Sequence, residues 1–563
     1  MSARPFLLVL CSSAFAGLGL SGCGGDEGGA EPLRGARSLV LVTLDTTNAG
    51  ALDLYGKDRG ITPRLAALGR EAQVFDAARS VAPLTLPSHA SMLTGLFPPR
   101  HGLRDNGLAA LPDEAWTLAE AALDSGRRTA AFISAAVVDR PFGLDQGFET
   151  FDGPARRQQA AGEYMLERSA GETVDRALVW LASRRAEEGF FLWVHLFDPH
   201  APYEAPRPFL EKTGGNAYLA EVAVMDDAIG RLLDALPPAE ECAVVVAADH
   251  GESLGRHGEP THALLVHDAT IHVPFLVRWP DGRAAAERSD APVSVVDVFP
   301  TALGILGLDD PGGHDGHDLA SPPAADRPVY FESYAGYVGF GLAPLAGVAD
   351  GSGKWIGGED GRFYAGGRVP ADPPSVPGMP QGEADVSRYV AALEAVESGE
   401  RLTPEAAMGS ADAMRALGYS GAGTLDQSLP SVTEATARPS VAAGLADALA
   451  TYEAMTVAGV GKRREAMRLM ADLLARNPGN LVAGQVLGAM LIEEGRVSEA
   501  VETLEGVLRR GAAGGEALQL MGLAYTRAGR MDDAVTVLER AALARPGDPE
   551  VERLLDEARA AAR

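Results

Sequence analysis

The sequence predicts an α/β domain, with a mixed and mostly parallel sheet flanked by helices, followed by an all-α solenoid of helix hairpins. Two observations carry this reading. From 38 to about 308, continuous apolar runs alternate with amphipathic stretches, as when strands buried on both faces are joined by crossover helices. Further on, Glu465-Ala466, Glu499-Ala500 and Asp533-Ala534 recur every 34 residues, with Gly461, Gly495 and Gly529 in step. The 563 residues carry 49 Lys+Arg against 77 Asp+Glu, a net charge of −28. That balance argues against nucleic acid and against a polybasic membrane patch as the main partner. Three cysteines exclude a disulfide framework.

Taken in order, Arg4 and a short apolar stretch over 6–20 read as a signal peptide. The stretch ends in Leu20-Ser21-Gly22-Cys23, which resembles the bacterial lipoprotein box. The resemblance implies removal of 1–22, lipidation of Cys23, a flexible tether over 23–37, and export to the cell envelope on its periplasmic or outer-membrane face. Strands are expected at 39–44, 129–133, 190–197 and 243–248, and helices at 63–75, 117–125, 172–185 and 219–236. Cys242 opens an apolar run and reads as a buried structural thiol. The α/β domain is expected over 38–419. Its C-terminal subdomain, about 309–419, is dense in Gly and Pro, with short strands such as 329–332. A polar linker over 420–440 then precedes a repeat domain over 441–563. The 34-residue step, with Gly488 and Gly522 and with Pro478 and Pro546 also in register, resembles the tetratricopeptide repeat. Ala512 stands where the middle repeat would carry its Pro. Three repeats from about 448 to 549 and a capping helix to Arg563 are implied, with a protein partner as their ligand.

The chemistry sits at strand ends. The first strand ends at Asp45, the third in Asp198-Pro199-His200 and the fourth in Asp249-His250. Ligands of open α/β sheets bind beyond the carboxyl ends of the strands. Carboxylates with imidazoles there suit a divalent cation. In Thr85-Leu86-Pro87-Ser88-His89, Pro87 suits a first helical turn and Gly95 a helix end. Thr85 is then either a helix cap or a nucleophile at a helix N-terminus that favours anions, with a metal lowering its hydroxyl pKa.

With these pieces in place, residues 38 to about 419 resemble the sulfatase branch of the alkaline phosphatase superfamily. The matching segments are Val42-Thr43-Leu44-Asp45-Thr46-Thr47, the Thr85 to Gly95 helix, Gly143-Leu144-Asp145-Gln146-Gly147-Phe148, Asp198-Pro199-His200-Ala201-Pro202-Tyr203 and Ala248-Asp249-His250-Gly251-Glu252. The resemblance implies that Asp45, Asp249 and His250 ligate a metal, with Thr85 bridging it to the substrate. His200 would bind the transferring group or protonate the leaving group, and His262 would be another active-site base. His89 would orient Thr85. Asn106 is read either as a donor to the substrate or as a turn residue before Gly107. Asp198, His200 and His262 are the candidate ligands of a second metal. The cofactor implied is one divalent ion (Zn, Mn, Ca or Mg), with two as the alternative. His195 reads as a core histidine, and His257 and Glu252, on the loop after Asp249, are left open between a site role and plain solvated residues.

Three departures bear on the substrate. Sulfatases of this family place a Cys or Ser, oxidised to formylglycine, where Thr85 stands, so no formylglycine is expected here. Their Lys-x-His after the second strand is replaced by Ala135-Ala136-Val137, and His250 follows Asp249 where Asn is usual. A Thr ester lacks the second hydroxyl that lets formylglycine expel sulfate. The expected activity is therefore metal-dependent hydrolysis of phosphate or sulfate esters through a covalent Thr85 intermediate, with phosphoesters favoured. A phosphoryl or phosphoethanolamine-type transferase acting on envelope glycans or lipids is the alternative. A repeat-based binding scaffold with a degenerate catalytic domain is the alternative from another class. Substrates are expected to be small-molecule, glycan or lipid esters.

Overall fold

In the computed structural model, the described residues are 35–56, 58–107, 109–154, 167–357, 362–365, 383–403, 429–432, 438–511 and 513–563. The expected signal peptide, Cys23, most of the tether, Ala512, and parts of 309–419 and 420–440 lie outside them. No helix among the described residues is long and apolar enough to cross a membrane.

The apolar runs become the centre of an eight-stranded sheet. Its strands in chain order are β1 (Ser38–Leu44), β2 (Gln73–Phe75), β3 (Arg128–Ile133), β4 (Thr150–Asp152), β5 (Phe190–Leu196), β6 (Cys242–Ala248), β7 (Phe275–Arg278) and β8 (Arg288–Ser289), arranged in space β4-β3-β5-β1-β6-β7-β2-β8. The first five in that order are mutually parallel. β7 runs antiparallel to both its neighbours, which gives the mixed sheet. Every residue of β1, β5 and β6 is buried, because helices cover both faces and leave only apolar side chains room there. Cys242 is a buried free thiol in this layer.

Helix starts follow their caps. Ser169 accepts from Glu172 N at the head of Ala170–Ser183, and Asn216 accepts from Leu219 N at the head of Ala217–Asp234. Thr117 and Glu120 form a reciprocal capping box before Leu118–Asp124. The expected helix over 63–75 is corrected: it stops at Leu68, and Gln73–Phe75 becomes edge strand β2. Gly69 presses on Leu54, where a Cβ would come within 2.6 Å of a methyl carbon. Val74 and Phe75 then fill the sheet edge, so β-forming side chains and tertiary pairing override the helical pattern.

The Gly- and Pro-rich region forms an antiparallel sheet of Val329–Ser333, Leu345–Ala349, Gly353–Gly357 and Arg362–Ala365. It is tied to the main domain by Glu332 N donating to Val81 O (2.8 Å). The repeats appear as three hairpins, Val441–Gly459 with Arg463–Arg476, Leu481–Glu493 with Val497–Leu508, and Gly515–Arg527 with Met531–Ala544, closed by Pro549–Ala562. Ala466, Ala500 and Ala534 are fully buried. Gly488 lets Leu504 approach to where a Cβ would meet its Cδ2 at 2.8 Å. The described parts of the expected linker are packed rather than loose: Val432 is buried, Tyr334 donates to Pro430 O (2.8 Å), and Ala343 N donates to Pro439 O (2.8 Å).

Candidate active site

Leu44, Leu196 and Ala248 lie side by side in the register of β5-β1-β6, so the residues that follow them leave the sheet at one edge. The ladder continues one step. Asp45 N donates to Leu196 O (2.9 Å), and Asp249 N donates to Leu44 O (3.2 Å). Asp45, Asp249 and His250 are fully buried, and one potential ligand atom from each lies within 4.8 Å of the others. His250 Nε2 is 3.9 Å from Asp45 Oδ1 and 3.6 Å from Asp249 Oδ2. His250 Nδ1 donates to Gly251 O (3.0 Å). That leaves the Nε2 lone pair facing the carboxylates, the tautomer a metal ligand needs.

The donor set fits a divalent cation. Asp45 Oδ2 is engaged by His195 Nε2 (3.3 Å) and Asp249 Oδ1 by His250 N (2.6 Å). The remaining oxygens, Asp45 Oδ1 and Asp249 Oδ2, are buried with no hydrogen-bond partner. Burial, and then the nearby Asp45 carboxylate, push the Asp249 carboxyl well above its ordinary range. Two buried carboxylates with orphaned oxygens require a cation or a proton between them.

Helix Thr85–Thr94 brings in the fourth element. Its N-cap is Leu84, with no side-chain capping bond, so the Thr85 hydroxyl does not cap. Oγ1 instead lies 3.3 Å from His250 Nε2. The turn is fixed from two sides. Asn106 Oδ1 accepts from Leu86 N (2.9 Å), which leaves Asn106 Nδ2 buried and unpartnered. His89 Nδ1 donates to Thr85 O (2.8 Å), and its Nε2 accepts from Thr43 Oγ1 (3.0 Å), which in turn accepts from Trp193 Nε1 (2.9 Å). Burial holds His89 well below the usual histidine range. This neutral ring positions the Thr85 backbone. Arg104, two residues before Asn106, pairs with buried Glu332 (2.5 Å) and covers the Tyr334 ring at 4.0 Å, anchoring that loop.

His200 stacks on Phe197 (4.1 Å between ring centres) and donates through Nδ1 to Ala201 O (2.8 Å), and its buried Nε2 has no partner. His262 lies 4.5 Å from the His250 ring and 5.4 Å from the His200 ring. Its Nδ1 meets Glu252 Oε1 (3.3 Å), while Tyr203 donates to Glu252 Oε2 (3.0 Å). Of the two readings open for Glu252, the buried one holds: it is a partner of His262, and burial lifts its carboxyl to about 7. The candidate second metal set does not assemble among the described residues: Asp198 Oδ2 accepts from Ala170 N (2.6 Å), at the start of a helix. His257 is exposed and stacks on His267 (4.0 Å).

The sequence reading missed His195 as a working residue. Ser134 N donates to its Nδ1 (3.3 Å), which leaves Nε2–H for Asp45. The available signal was its register partner Thr43, another polar residue inside an apolar strand one step before the strand end.

A sulfatase family model matches residues 37–308. Those residues belong to the sulfatase family. A tetratricopeptide-repeat model matches 491–558. The chain is 28% identical over 356 residues to an ulvan-active sulfatase of Formosa agariphila, covering 54% of this chain and 69% of that one. It is 26% identical over 353 residues to human N-acetylgalactosamine-6-sulfatase, covering 52% and 68%. The fold is shared with a phosphonate monoester hydrolase of Agrobacterium radiobacter (TM-score 0.53, 18% identity, 64% of this chain and 95% of that one). It is shared equally with a 2-O GAG sulfatase (TM-score 0.53, 18% identity, 64% and 91%). Residues 37–308 are thus a sulfatase-family ester-hydrolase domain, and C-terminal tetratricopeptide repeats follow it.

Proposed function

We propose that this sulfatase-family hydrolase cleaves phosphate esters in preference to sulfate esters, with Thr85 as the nucleophile. The observation that carries the reading is the Thr85 hydroxyl, free of any capping role and 3.3 Å from His250 Nε2 beside two orphaned carboxylate oxygens. Asp45, Asp249 and His250 would hold a divalent cation. Once bound, it lowers the pKa of a nearby hydroxyl and stabilises anionic ester oxygens. With its hydroxyl proton released to solvent, Thr85 Oγ1 attacks phosphorus in line as the bond to the leaving alcohol breaks, and His262 or His200, as the imidazolium, gives that alcohol its proton. Water then cleaves the Thr85 ester. Asn106 Nδ2 donates to an ester oxygen, as an oxyanion donor does. The phosphoester preference is supported by chemistry: a threonine ester has no geminal hydroxyl to expel sulfate, whereas its phosphoester opens by attack at phosphorus. Relatives named for ulvan and N-acetylgalactosamine support a sugar alcohol as leaving group. The lipoprotein-like segment ending in Cys23 supports an exported, lipid-anchored chain, and the repeats support a protein partner.

The test compares aryl phosphate monoesters, phosphodiesters and sulfates at equal enzyme, for wild type and Thr85→Ala. Phosphoester turnover above sulfate turnover, lost in Thr85→Ala, is expected. Faster sulfate turnover contradicts the preference, and equal rates in the two proteins on every substrate contradict the nucleophile.

A further inference from the structure

The first repeat helix does not stand apart from the catalytic domain. Val441, Leu445 and Ala448, with Val482 of the third repeat helix, belong to the same continuous apolar core as β1 and β6, while Ala454 joins most of the buried residues of the later helices in a second core. Gly444 seats against Leu342 so closely that any Cβ would collide with it. Tyr452 packs on Phe340 (5.4 Å between ring centres), and Asn477 Nδ2 donates to Phe340 O (2.7 Å).

The same helix reaches two loops of the active site. Leu445 Cδ2 lies 3.5 Å from where a Cβ of Gly258 would be, on the loop between Asp249 and His262. In that loop Glu259 accepts from Leu264 N (2.7 Å) and Leu265 N (3.3 Å), so its carboxylate closes the turn that carries His262. Tyr452, half-buried two turns further along the helix, lies in the field of two acids of these loops: burial, then Asp105 and Glu259, push its hydroxyl upward. Asp105 in turn accepts from Asn106 N (2.8 Å), and Asn106 holds the first turn of the Thr85 helix.

We propose that helix Val441–Gly459 is a positioning element of the active site, with Tyr452 and Leu445 seating the Asn106 and His262 loops. The catalytic consequence rests on the roles given to Thr85, Asn106 and His262 above, while the seating itself does not. The helix touches no reacting atom. It restricts two loops whose displacement by about 1 Å would cost roughly a hundredfold in rate.

The test uses the full chain with Tyr452→Ala, Tyr452→Phe, Leu445→Ala and Leu538→Ala, the last in the buried core of the third hairpin. Amide hydrogen exchange is followed in 103–107 and 259–265, and kcat and KM on an aryl phosphate monoester are measured where all variants are folded. Tyr452→Ala should speed exchange in both segments and lower kcat roughly tenfold or more with KM little changed. Tyr452→Phe should restore both. Leu445→Ala should speed exchange in 259–265. Leu538→Ala should lower the melting temperature of the repeats and leave exchange in both segments, and kcat, at wild-type values. Unchanged exchange in Tyr452→Ala and Leu445→Ala, or an equal change in Leu538→Ala, overturns the proposal. If the wild type turns over no ester while Tyr452→Ala still loosens both segments, the functional reading fails and the seating stands.

Discussion

In the repeat array, Gly461, Gly495 and Gly529 stand one repeat apart, and each turns the chain between two helices at φ of 81°, 75° and 74°. In the α/β domain, Asp45, Thr85 and Asp249 come from three distant segments and converge on one buried cluster. A repeat packs mostly against its neighbours, so its structure follows from local spacing and each unit can fail separately. The catalytic site exists only when the sheet register is right, and four of its polar atoms, Asp45 Oδ1, Asp249 Oδ2, Asn106 Nδ2 and His200 Nε2, are buried without a partner. Modularity on one side and mutual dependence on the other give different sensitivities to substitution.

The largest expected effect is on the cooperative side. Thr85→Ala should lower kcat by roughly 10³-fold or more while both domains melt as in wild type. Loss of the repeat transition along with activity would break the contrast. Next, His195→Ala should weaken metal binding by roughly 10- to 100-fold, because it removes the donor that orients Asp45 Oδ2. Competition titration with a chromogenic chelator checks this. On the modular side, Gly522→Val should drive a side chain into Leu538 and cost the repeats about 1–3 kcal/mol. Calorimetry should show the repeat transition lowered, with kcat unchanged.

The smallest effect concerns Glu259, whose carboxyl burial lifts to about 8. The folded chain keeps this proton over a range where the unfolded chain has already released it. Its contribution to stability is therefore complete below the ordinary carboxylate range and is lost as the pH rises toward 8. Glu259→Gln should flatten the urea-unfolding stability between about pH 5 and 8. An unchanged slope would remove Glu259 as its source.

Much of this was legible in the sequence because its signals were local: apolar runs for β1, β5 and β6, a fixed step for the hairpins, and acids at strand ends. What stayed hidden depends on contacts between segments remote in sequence. Nothing near Glu252 announces His262 and Tyr203 as its partners, and nothing near Asp198, a strand-end acid like Asp45, announces that its Oδ2 accepts from Ala170 N at a helix start. The polar stretch before Val441 suggested independence, yet the helix that follows completes the catalytic core. β2 was lost because tertiary pairing outweighed a helical pattern.

The central claim is that Thr85 carries the transferring group. It is tested most directly by acid-quenching the wild-type protein during turnover of an aryl phosphate monoester and mapping the modified peptide by mass spectrometry. The account predicts a phosphoryl group on Thr85, absent in Thr85→Ala. A phosphoryl group on another side chain, or undiminished turnover in Thr85→Ala, would contradict it.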